Sequence, residues 1–369
     1  MNADNSTRHN PYSEYTGKNS LKEKQIAIKA KAITKSLQKI SYPPERAFTV
    51  IVEGNDDIPI YSPVFNNTLC KIIPLWGVDN VKYIFKKFQT GHDKSKAMKQ
   101  VLMEADSQNK INKLTTMRNE NKVIGIIDLD FEKERCIKNL YSPQHYSNLF
   151  VTETNDAQIL LLNNYGLVIF IRKLCDQGKV EELKKRAKIG QLFQQIILMT
   201  NHPGLARYVD KRLKTEIAGY RSLNFQILHS EDVFNEYISC GKILTSDDIQ
   251  ELLFCQEGGN TYNVDFIQDY KKKGSMIEFL FPDRWDVCQG HDMMRVLLSI
   301  HRLVGCGEGH KNENDLIEDI SNIFHLPKNA FFKNTSLFSA LKKWERDYFP
   351  YPANGMFSVT YSTIKKYSG

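Results

Sequence analysis

Short apolar runs rich in β-branched residues alternate with helical patterns in the first half of the chain. They predict strands over Ala47–Val52, Cys70–Trp76, Lys122–Asp130 and Asn148–Thr152. Pro74 cannot donate a ladder hydrogen bond, so the second strand is expected at an edge or to end there. Because the runs alternate with helices, we predict a parallel sheet with flanking helices.

Apolar residues spaced three and four positions apart predict the helices. In the first half they are expected at Leu21–Ile40, from Asp57 onward, at Gly77–Phe88, in part of Asp93–Asn119 and at Asn155–Asn163. Residues 1–20 are polar, which predicts a flexible N-terminal tail. The lysines of Leu21–Ile40 are interpreted as a solvated helix face in preference to a polyanion site.

Beyond about residue 165 the pattern changes to helix after helix. Helices are predicted at Ile169–Cys175, Val180–Met199, Pro203–Ile217, Ser230–Ile238, Ser246–Phe254, His291–Val304 and Asp315–Phe324, and weaker strand patterns at Ser222–Leu228 and Met276–Phe281. We therefore predict an α/β domain with a leading helix over residues 21–165. An α-rich domain over residues 166–369 is expected to serve dimerisation, or partner or substrate binding.

Composition narrows the class of protein. A chain of 369 residues with 41% hydrophobic and 25% charged residues can bury a large core and favours two domains over one. The net charge of +7 is a mild basic bias that suits nucleic acid. No apolar run approaches the roughly 20 residues of a membrane span, and the N-terminus lacks the apolar core of a signal peptide. Seven Cys without CxxC spacing indicate reduced thiols, so we expect a cytoplasmic protein without membrane association.

Carboxylates follow the predicted strands. Glu53 and Asp57 come after the first strand, Asp128 and Asp130 end the third, and Asp156 follows the fourth. The carboxyl edge of a parallel sheet is where such folds place their chemistry. Residues two apart on an extended chain share a face, so Asp128 and Asp130 are expected side by side. Because clustered carboxylates repel one another unless a hard cation neutralises them, we predict a Mg²⁺ or Mn²⁺ site.

Two other interpretations apply to parts of this pattern. A single Asp at a strand end is commonly a helix cap, which fits Asp57 or Asp156 alone but not Asp128 and Asp130 together. A zinc site is suggested by the spacing within two pairs, Cys288 with His291 and Cys306 with His310. The helix predicted between the pairs separates them by about 20 Å, which favours a buried Cys, an Asp292 cap and a surface loop.

The acidic strand ends resemble a known family. A strand ending in Glu53-Gly54 and a later strand ending in Asp128-Leu129-Asp130 are similar to the TOPRIM domain of topoisomerases, primases and OLD-type nucleases. The strings IIDLDF, LFVTETNDAQIL and WDVCQGHDMMRVL resemble segments of TOPRIM nucleases in bacterial anti-phage systems, especially PARIS. The chain departs from the family at Gln158, where a carboxylate is expected. An amide oxygen can coordinate a cation but brings no charge.

The resemblance implies a metal-dependent nuclease acting as a toxic effector in anti-phage defence, on DNA or on RNA such as transfer RNA. It implies that Asp128 and Asp130 bind Mg²⁺ or Mn²⁺, that Glu53 ligates metal or handles a proton, and that Asp57 is a further ligand. As a hypothesis, Asp156 completes a second metal site with Asp57. The candidate contacts to the nucleic-acid backbone are Lys82, Lys86, Lys87, Lys133 and Arg135. An ABC/OLD-type ATPase partner and a homodimer are also implied.

Two alternatives remain open from the sequence. One is a primase-like or strand-passing TOPRIM enzyme, although a topoisomerase needs a catalytic Tyr on a separate large domain, for which residues 166–369 are too few. The other is a regulatory or sensor subunit whose acidic site is vestigial. Metal binding measured with and without Asp128 and Asp130 would separate an active site from a vestigial one.

Overall fold

The structure is a computed structural model of the chain. It describes residues 12–40, 48–87, 95–131, 146–162, 166–186, 192–218, 264–274, 284–306, 312–324, 331–348 and 355–358.

Four parallel strands form the sheet, as predicted. They are β1 (Phe48–Val52), β2 (Cys70–Pro74), β3 (Val123–Ile127) and β4 (Leu149–Val151), in the order β2-β1-β3-β4. Pro74 ends the edge strand β2, which agrees with the prediction. The third strand is shorter than predicted, because the chain turns through left-handed conformations at Asp130 and Phe131. Asp128 therefore follows β3 directly and Asp130 lies in the turn beyond it, so the expectation that the strand continues to Asp130 is wrong.

Both central strands are buried along their whole length because every residue of β1 and β3 meets a covered face. Val50 and Ile124 face one hydrophobic cluster, and Ile51 and Val123 face the other. The alternation follows from the two-residue period of a strand. A continuous apolar sequence is thus what a central parallel strand requires.

The helices of the first half are α1 (Tyr12–Gln38), α2 (Asp57–Tyr61), α3 (Val78–Phe85), α4 (Lys96–Val101), α5 (Ala105–Asn119) and α6 (Ala157–Leu162). Helix α1 begins earlier than the predicted Leu21, so the later part of the predicted tail is helical, while residues 1–11 lie outside the described residues. Helices α1, α4 and α5 cover the sheet face that carries Ile51. Asp57 is the first helical residue of α2 and Asp56 its N-cap residue.

The regular elements that the structure describes in the second half are helices. Its helices are α7 (Gly166–Lys173), α8 (Gln177–Arg186), α9 (Leu192–Glu216), α10 (Val264–Gly274), α11 (Gly290–Val304), α12 (Glu313–Phe324) and α13 (Ser336–Tyr348). The predicted elements that lie outside the described residues are Ser222–Leu228, Ser230–Ile238, Ser246–Phe254 and Met276–Phe281. Neither α10 nor α13 was predicted.

Helix α9 corrects one prediction, since a single helix passes through Pro203 where two helices were expected. Proline removes one helical hydrogen bond, so tertiary packing has to compensate. Gly204 provides that packing, because a Cβ there would stand 1.8 Å from the Val287 carbonyl oxygen. The close approach joins α9 to the segment that leads into α11.

The second sheet face and the helices after β4 share one hydrophobic cluster. It runs from Phe48 and Val50 in β1 to Trp344 in α13 and Phe357 near the end of the described chain. The division at residue 165 stays a prediction, but the two halves pack on a common core. Among the described helices, none combines the length and the apolar character needed to cross a bilayer.

Candidate functional site

A pocket of about 370 Å³ opens where β1, β3 and β4 end. Its lining joins the predicted acids to residues of α1, the β2–α3 turn and the start of α11. The lining residues are Lys29, Glu53, Gly54, Asn55, Asp56, Asp57, Trp76, Gly77, Asp128, Asp130, Asn155, Asp156, Gln158, Gln289 and His291.

Glu53 and Asp128 meet because they follow neighbouring strands. Each comes directly after the last residue of its strand, and Glu53 Oε1 accepts a 2.8 Å hydrogen bond from the Asp128 N–H. Burial raises the pKa of Glu53 to about 7, although the Asp128 N–H lowers it. Burial, reinforced by the charges of Asp57 and Glu53, holds the pKa of Asp128 well above its ordinary value. Either a bound proton or a bound cation would therefore relieve the repulsion between these two carboxylates.

Asp57 reaches back to the loop that follows β1. Its Oδ2 accepts a 2.8 Å hydrogen bond from the Gly54 N–H, and its side chain is buried. Burial raises the pKa of Asp57 to about 7, against the lowering effect of the Gly54 N–H, and the charges of Asp56 and Asp156 raise it further. Asp57 thus adds a third carboxylate to the pocket lining, beside those of Glu53 and Asp128.

Asp156 lines the pocket and also caps a helix. Its Oδ1 accepts a 2.9 Å hydrogen bond from the Ile159 N–H at the start of α6, and its Oδ2 accepts one from the Gly290 N–H. Burial raises the pKa of Asp156 to about 6 despite these two donors. The capping role considered from the sequence is therefore present, together with a place in the pocket wall.

Asp130 stands at the rim, unlike Asp128. Its side chain is 52% exposed, and its Oδ2 lies 2.6 Å from Lys211 Nζ of α9. Lys211 also donates to the Asp130 carbonyl oxygen. The left-handed backbone of Asp130, with φ of 45°, turns its carboxylate toward the α-rich half. The two aspartates thus share the pocket but not the same surroundings.

Asn155 connects the acidic turns to the second half of the chain. Its Oδ1 accepts from the Phe131 N–H at 3.0 Å, and its Nδ2 donates to the carbonyl oxygens of Asp286 at 2.6 Å and Cys288 at 2.9 Å. The backbone of Asn155 also accepts from the Asp130 N–H. Sequence reasoning missed this residue, because two of its partners, Asp286 and Cys288, are more than a hundred positions away.

His291 brings a second kind of side chain to the rim. Its Nδ1 lies 3.3 Å from Glu313 Oε2, and its Nε2 lies 3.7 Å from Asp56 Oδ2. The hydrogen bond to Glu313 is the main cause that raises the pKa of His291. The sequence indicated His291 only through the zinc spacing and the Gly-His-Asp string of the family resemblance.

The fold does not support the zinc interpretation of Cys288, His291 and Cys306. The buried Cys288 donates its thiol to Asn201 Oδ1 at 3.0 Å, whereas Cys306 is exposed just beyond the far end of α11. Cys306 and Cys288 are thus separated by the whole helix, as the sequence indicated. His310 lies outside the described residues.

Three of the predicted nucleic-acid contacts fall within the described residues, namely Lys82, Lys86 and Lys87, and they do not line the pocket. Lys82 lies on α3, where its charge slightly offsets the effects that raise the pKa of Glu53, and Lys86 and Lys87 follow that helix. Lys133 and Arg135 lie outside the described residues. Lys29 of α1 lines the pocket instead. No local signal in the sequence marks it, because its position depends on how α1 packs against the sheet.

Most of the side-chain atoms in the pocket that could coordinate a metal ion are oxygen atoms. The buried carboxylates and the amide of Gln158, which lies in the wall where the family resemblance expects an acid, fit a hard divalent cation in chemistry. Across the described residues, no three His, Cys, Asp or Glu side chains are positioned to hold a metal ion as they stand. The set of possible ligand atoms thus fits Mg²⁺ or Mn²⁺ in kind.

Comparisons of the chain with models of known protein families, with curated proteins and with solved structures gave no significant match.

Proposed function

We propose that this protein is a Mg²⁺- or Mn²⁺-dependent nuclease whose parallel sheet is of the TOPRIM type. The observation that carries the proposal is the gathering of Glu53, Asp57 and Asp128 in one pocket at the carboxyl edge of the sheet. Burial raises the pKa of each, so a divalent cation would relieve their repulsion. From the resemblance, the proposal extends to a toxic anti-phage effector, a homodimer controlled by an ABC/OLD-type ATPase partner.

Each acidic residue has its own part in the proposal. Asp128, Asp57 and Asp130 would hold the cation, which supplies polarisation of the scissile phosphate when bound. Glu53 accepts the proton of the attacking water or adds a ligand. Asp156 keeps α6 and the segment at Gly290 in place beside the pocket.

The test incubates the purified chain plus Mg²⁺ or Mn²⁺ with plasmid DNA and with total transfer RNA in parallel. We expect cleavage of one substrate, its loss with a chelator, and its loss in Glu53→Gln and in Asp128→Asn. Circular dichroism of the variants checks that they fold. Full cleavage by either folded variant would rule the proposal out.

A second candidate is a regulatory subunit with a vestigial site. Three contacts favour it, because Asp130 is already paired with Lys211 and each Asp156 carboxylate oxygen already accepts a backbone N–H group. This candidate predicts no Mn²⁺ uptake in calorimetry. Binding that disappears in the Asp128→Asn variant would exclude it.

A further inference from the structure

One wall of the pocket carries no carboxylate and consists of Lys29, Trp76 and Gly77. A Cβ built on Gly77 would stand 3.1 Å from Lys29 Nζ, so the ammonium group lies directly against this glycine. The Gly77 N–H donates to the Glu53 carbonyl oxygen at 2.9 Å. The wall is thus tied to the strand end that supplies the first acid of the site.

Trp76 is held in an unfavourable backbone conformation. Its φ of 60° lies in the left-handed region, where a bulky residue is rare, and Gly77 follows with φ of 131°. Strain of this kind persists only where the surroundings enforce it, and it concentrates at binding and catalytic sites. The indole of Trp76 is half-buried, so part of it is exposed at this strained position.

Asn80 enforces the strained turn. Its Nδ2 donates to the carbonyl oxygens of Leu75 at 2.8 Å and Trp76 at 3.2 Å, and its Oδ1 accepts from Ser95 Oγ at 2.6 Å. The indole Nε1 lies 3.4 Å from Ser36 Oγ on α1, the helix that also carries Lys29. The lysine and the indole are therefore positioned by the same helix.

An acidic pocket repels a polyanion, so a nucleic acid needs favourable contacts at its edge. Among the described residues that line the pocket, Lys29 is the one lysine and Trp76 the one aromatic ring other than His291. An ammonium group binds a phosphate oxygen, and an indole face stacks on any base. Together they match the two ends of one nucleotide.

We propose that Lys29 and Trp76 form the subsite for the nucleotide next to the scissile phosphate. The ammonium group of Lys29 binds the phosphate of this nucleotide, and the base of the same nucleotide stacks on the indole of Trp76. A base that stacks on an indole has left its own helix, so the substrate presents an unpaired nucleotide at this position. The subsite rests on the proposed nuclease function for its place in a reaction, but its binding is measured without cleavage.

The test measures equilibrium binding of a short fluorescent single-stranded oligonucleotide, and of the same strand in a duplex, to the full chain carrying Glu53→Gln in Mg²⁺. We expect Lys29→Ala to weaken single-strand binding about fivefold to tenfold and to reduce the slope of log K against log salt by about 0.7, which is one lost phosphate contact. Lys29→Arg should restore both. Lys31→Ala is the matched control, because Lys31 lies on nearly the opposite side of α1 and does not line the pocket.

Trp76 is tested with two substitutions. Trp76→Ala should weaken single-strand binding by at least about fivefold, whereas Trp76→Phe keeps a stacking ring and should retain most of it. The strand should quench tryptophan fluorescence in the parent protein and not in Trp76→Phe. Thermal melting identifies any variant that fails to fold, and the Lys29 variants decide the proposal in that case.

The subsite is overturned if Lys29→Ala and Lys31→Ala give the same salt slope, or if duplex binds as tightly as single strand. Cleavage that does not depend on Lys29 or Trp76 would overturn the subsite and leave the nuclease proposal standing. Strand binding that depends on both residues, without cleavage by the unsubstituted protein, would support the subsite and overturn the nuclease proposal.

Discussion

Glu53, Asp57 and Asp128 stand together in a pocket where burial raises the pKa of each. Without a cation, their charges oppose folding at neutral pH. Glu53→Gln keeps an oxygen that can accept the Asp128 N–H but removes one charge. We expect it to abolish cleavage while stabilising the metal-free protein at about pH 8 by about 1 to 3 kcal/mol. Urea unfolding measures the gain, and a loss of stability would contradict it.

The same carboxylates determine how the metal-free protein responds to pH. Folding raises the pKa of Glu53 from 4.5 to about 7 and that of Asp57 from 3.8 to about 7. An acid with a raised pKa contributes its full stability below the unfolded value and loses it as pH rises through the folded value. The metal-free melting temperature should therefore fall by several degrees between about pH 5.5 and about pH 8.

Added Mg²⁺ should raise the melting temperature at the higher pH more than at the lower. The control is a protein with both Glu53→Gln and Asp57→Asn, in which the fall with pH should shrink. A metal-free melting temperature that rises over this interval would mean that other groups dominate the pH dependence.

Lys211 forms an ion pair with Asp130, the carboxylate at the rim of the pocket that is proposed as a metal ligand. Its Nζ lies 2.6 Å from Asp130 Oδ2, with side chains 36% and 52% exposed. Because an exposed ion pair of this kind is worth at most about 1 kcal/mol, Lys211→Ala should tighten Mn²⁺ binding by up to about fivefold. Calorimetry without nucleic acid measures the affinity, with Lys214→Ala on the same helix as the control. Weaker binding would mean that Lys211 holds Asp130 in its ligating position.

At the scale of elements, the start of α11 fixes the acidic turn after β4. The Gly290 N–H donates to Asp156 Oδ2, and a Cβ at Gly290 would stand 2.3 Å from Asp156 Oδ1 and 2.6 Å from Gln158 Cβ. Gly290→Ala should therefore force the two segments apart, at a cost of about 1 to 3 kcal/mol, and reduce cleavage.

Thermal melting and cleavage rates test this effect. The matched control is Gly178→Ala near the start of α8, where a Cβ meets only the movable Asp176 Oδ1 at 3.2 Å. Equal melting temperatures for the two variants would show that the contact at Gly290 relaxes freely.

The sequence allowed the sheet and the acids at its edge to be predicted, for a local reason. Runs such as Phe48–Val52 are apolar because both faces of a central strand are covered, and Glu53 follows at once. The residues that hold these acidic turns in place could not be predicted, because Asn155 and Gly290 act through contacts between distant segments. Helix α9 was divided wrongly for the same kind of reason, since packing at Gly204 overrides a local proline signal.

At the scale of the whole molecule, several long-range contacts tie the sheet to the α-rich half. Trp344 Nε1 of α13 donates to Asn148 Oδ1 beside β4 at 3.1 Å. The Phe65 and Phe357 rings stack with centroids 5.7 Å apart. Glu153, just after β4, accepts hydrogen bonds from the N–H and hydroxyl of Ser336 at the start of α13. One face of the sheet therefore shares its core with the helices of the second half.

A shared core of this kind predicts a single unfolding transition. Far-UV circular dichroism, tryptophan fluorescence and residual cleavage should give the same urea midpoint, because the cluster that contains Val50 also contains Trp344. A fragment ending at residue 165 should fail to form a cooperative fold, since it would expose the apolar side chains of Phe48, Val50 and Ile124. The full chain is the control for expression and refolding. Two separate midpoints, or a fragment that melts cooperatively, would instead establish the two independent domains that the sequence pattern suggests.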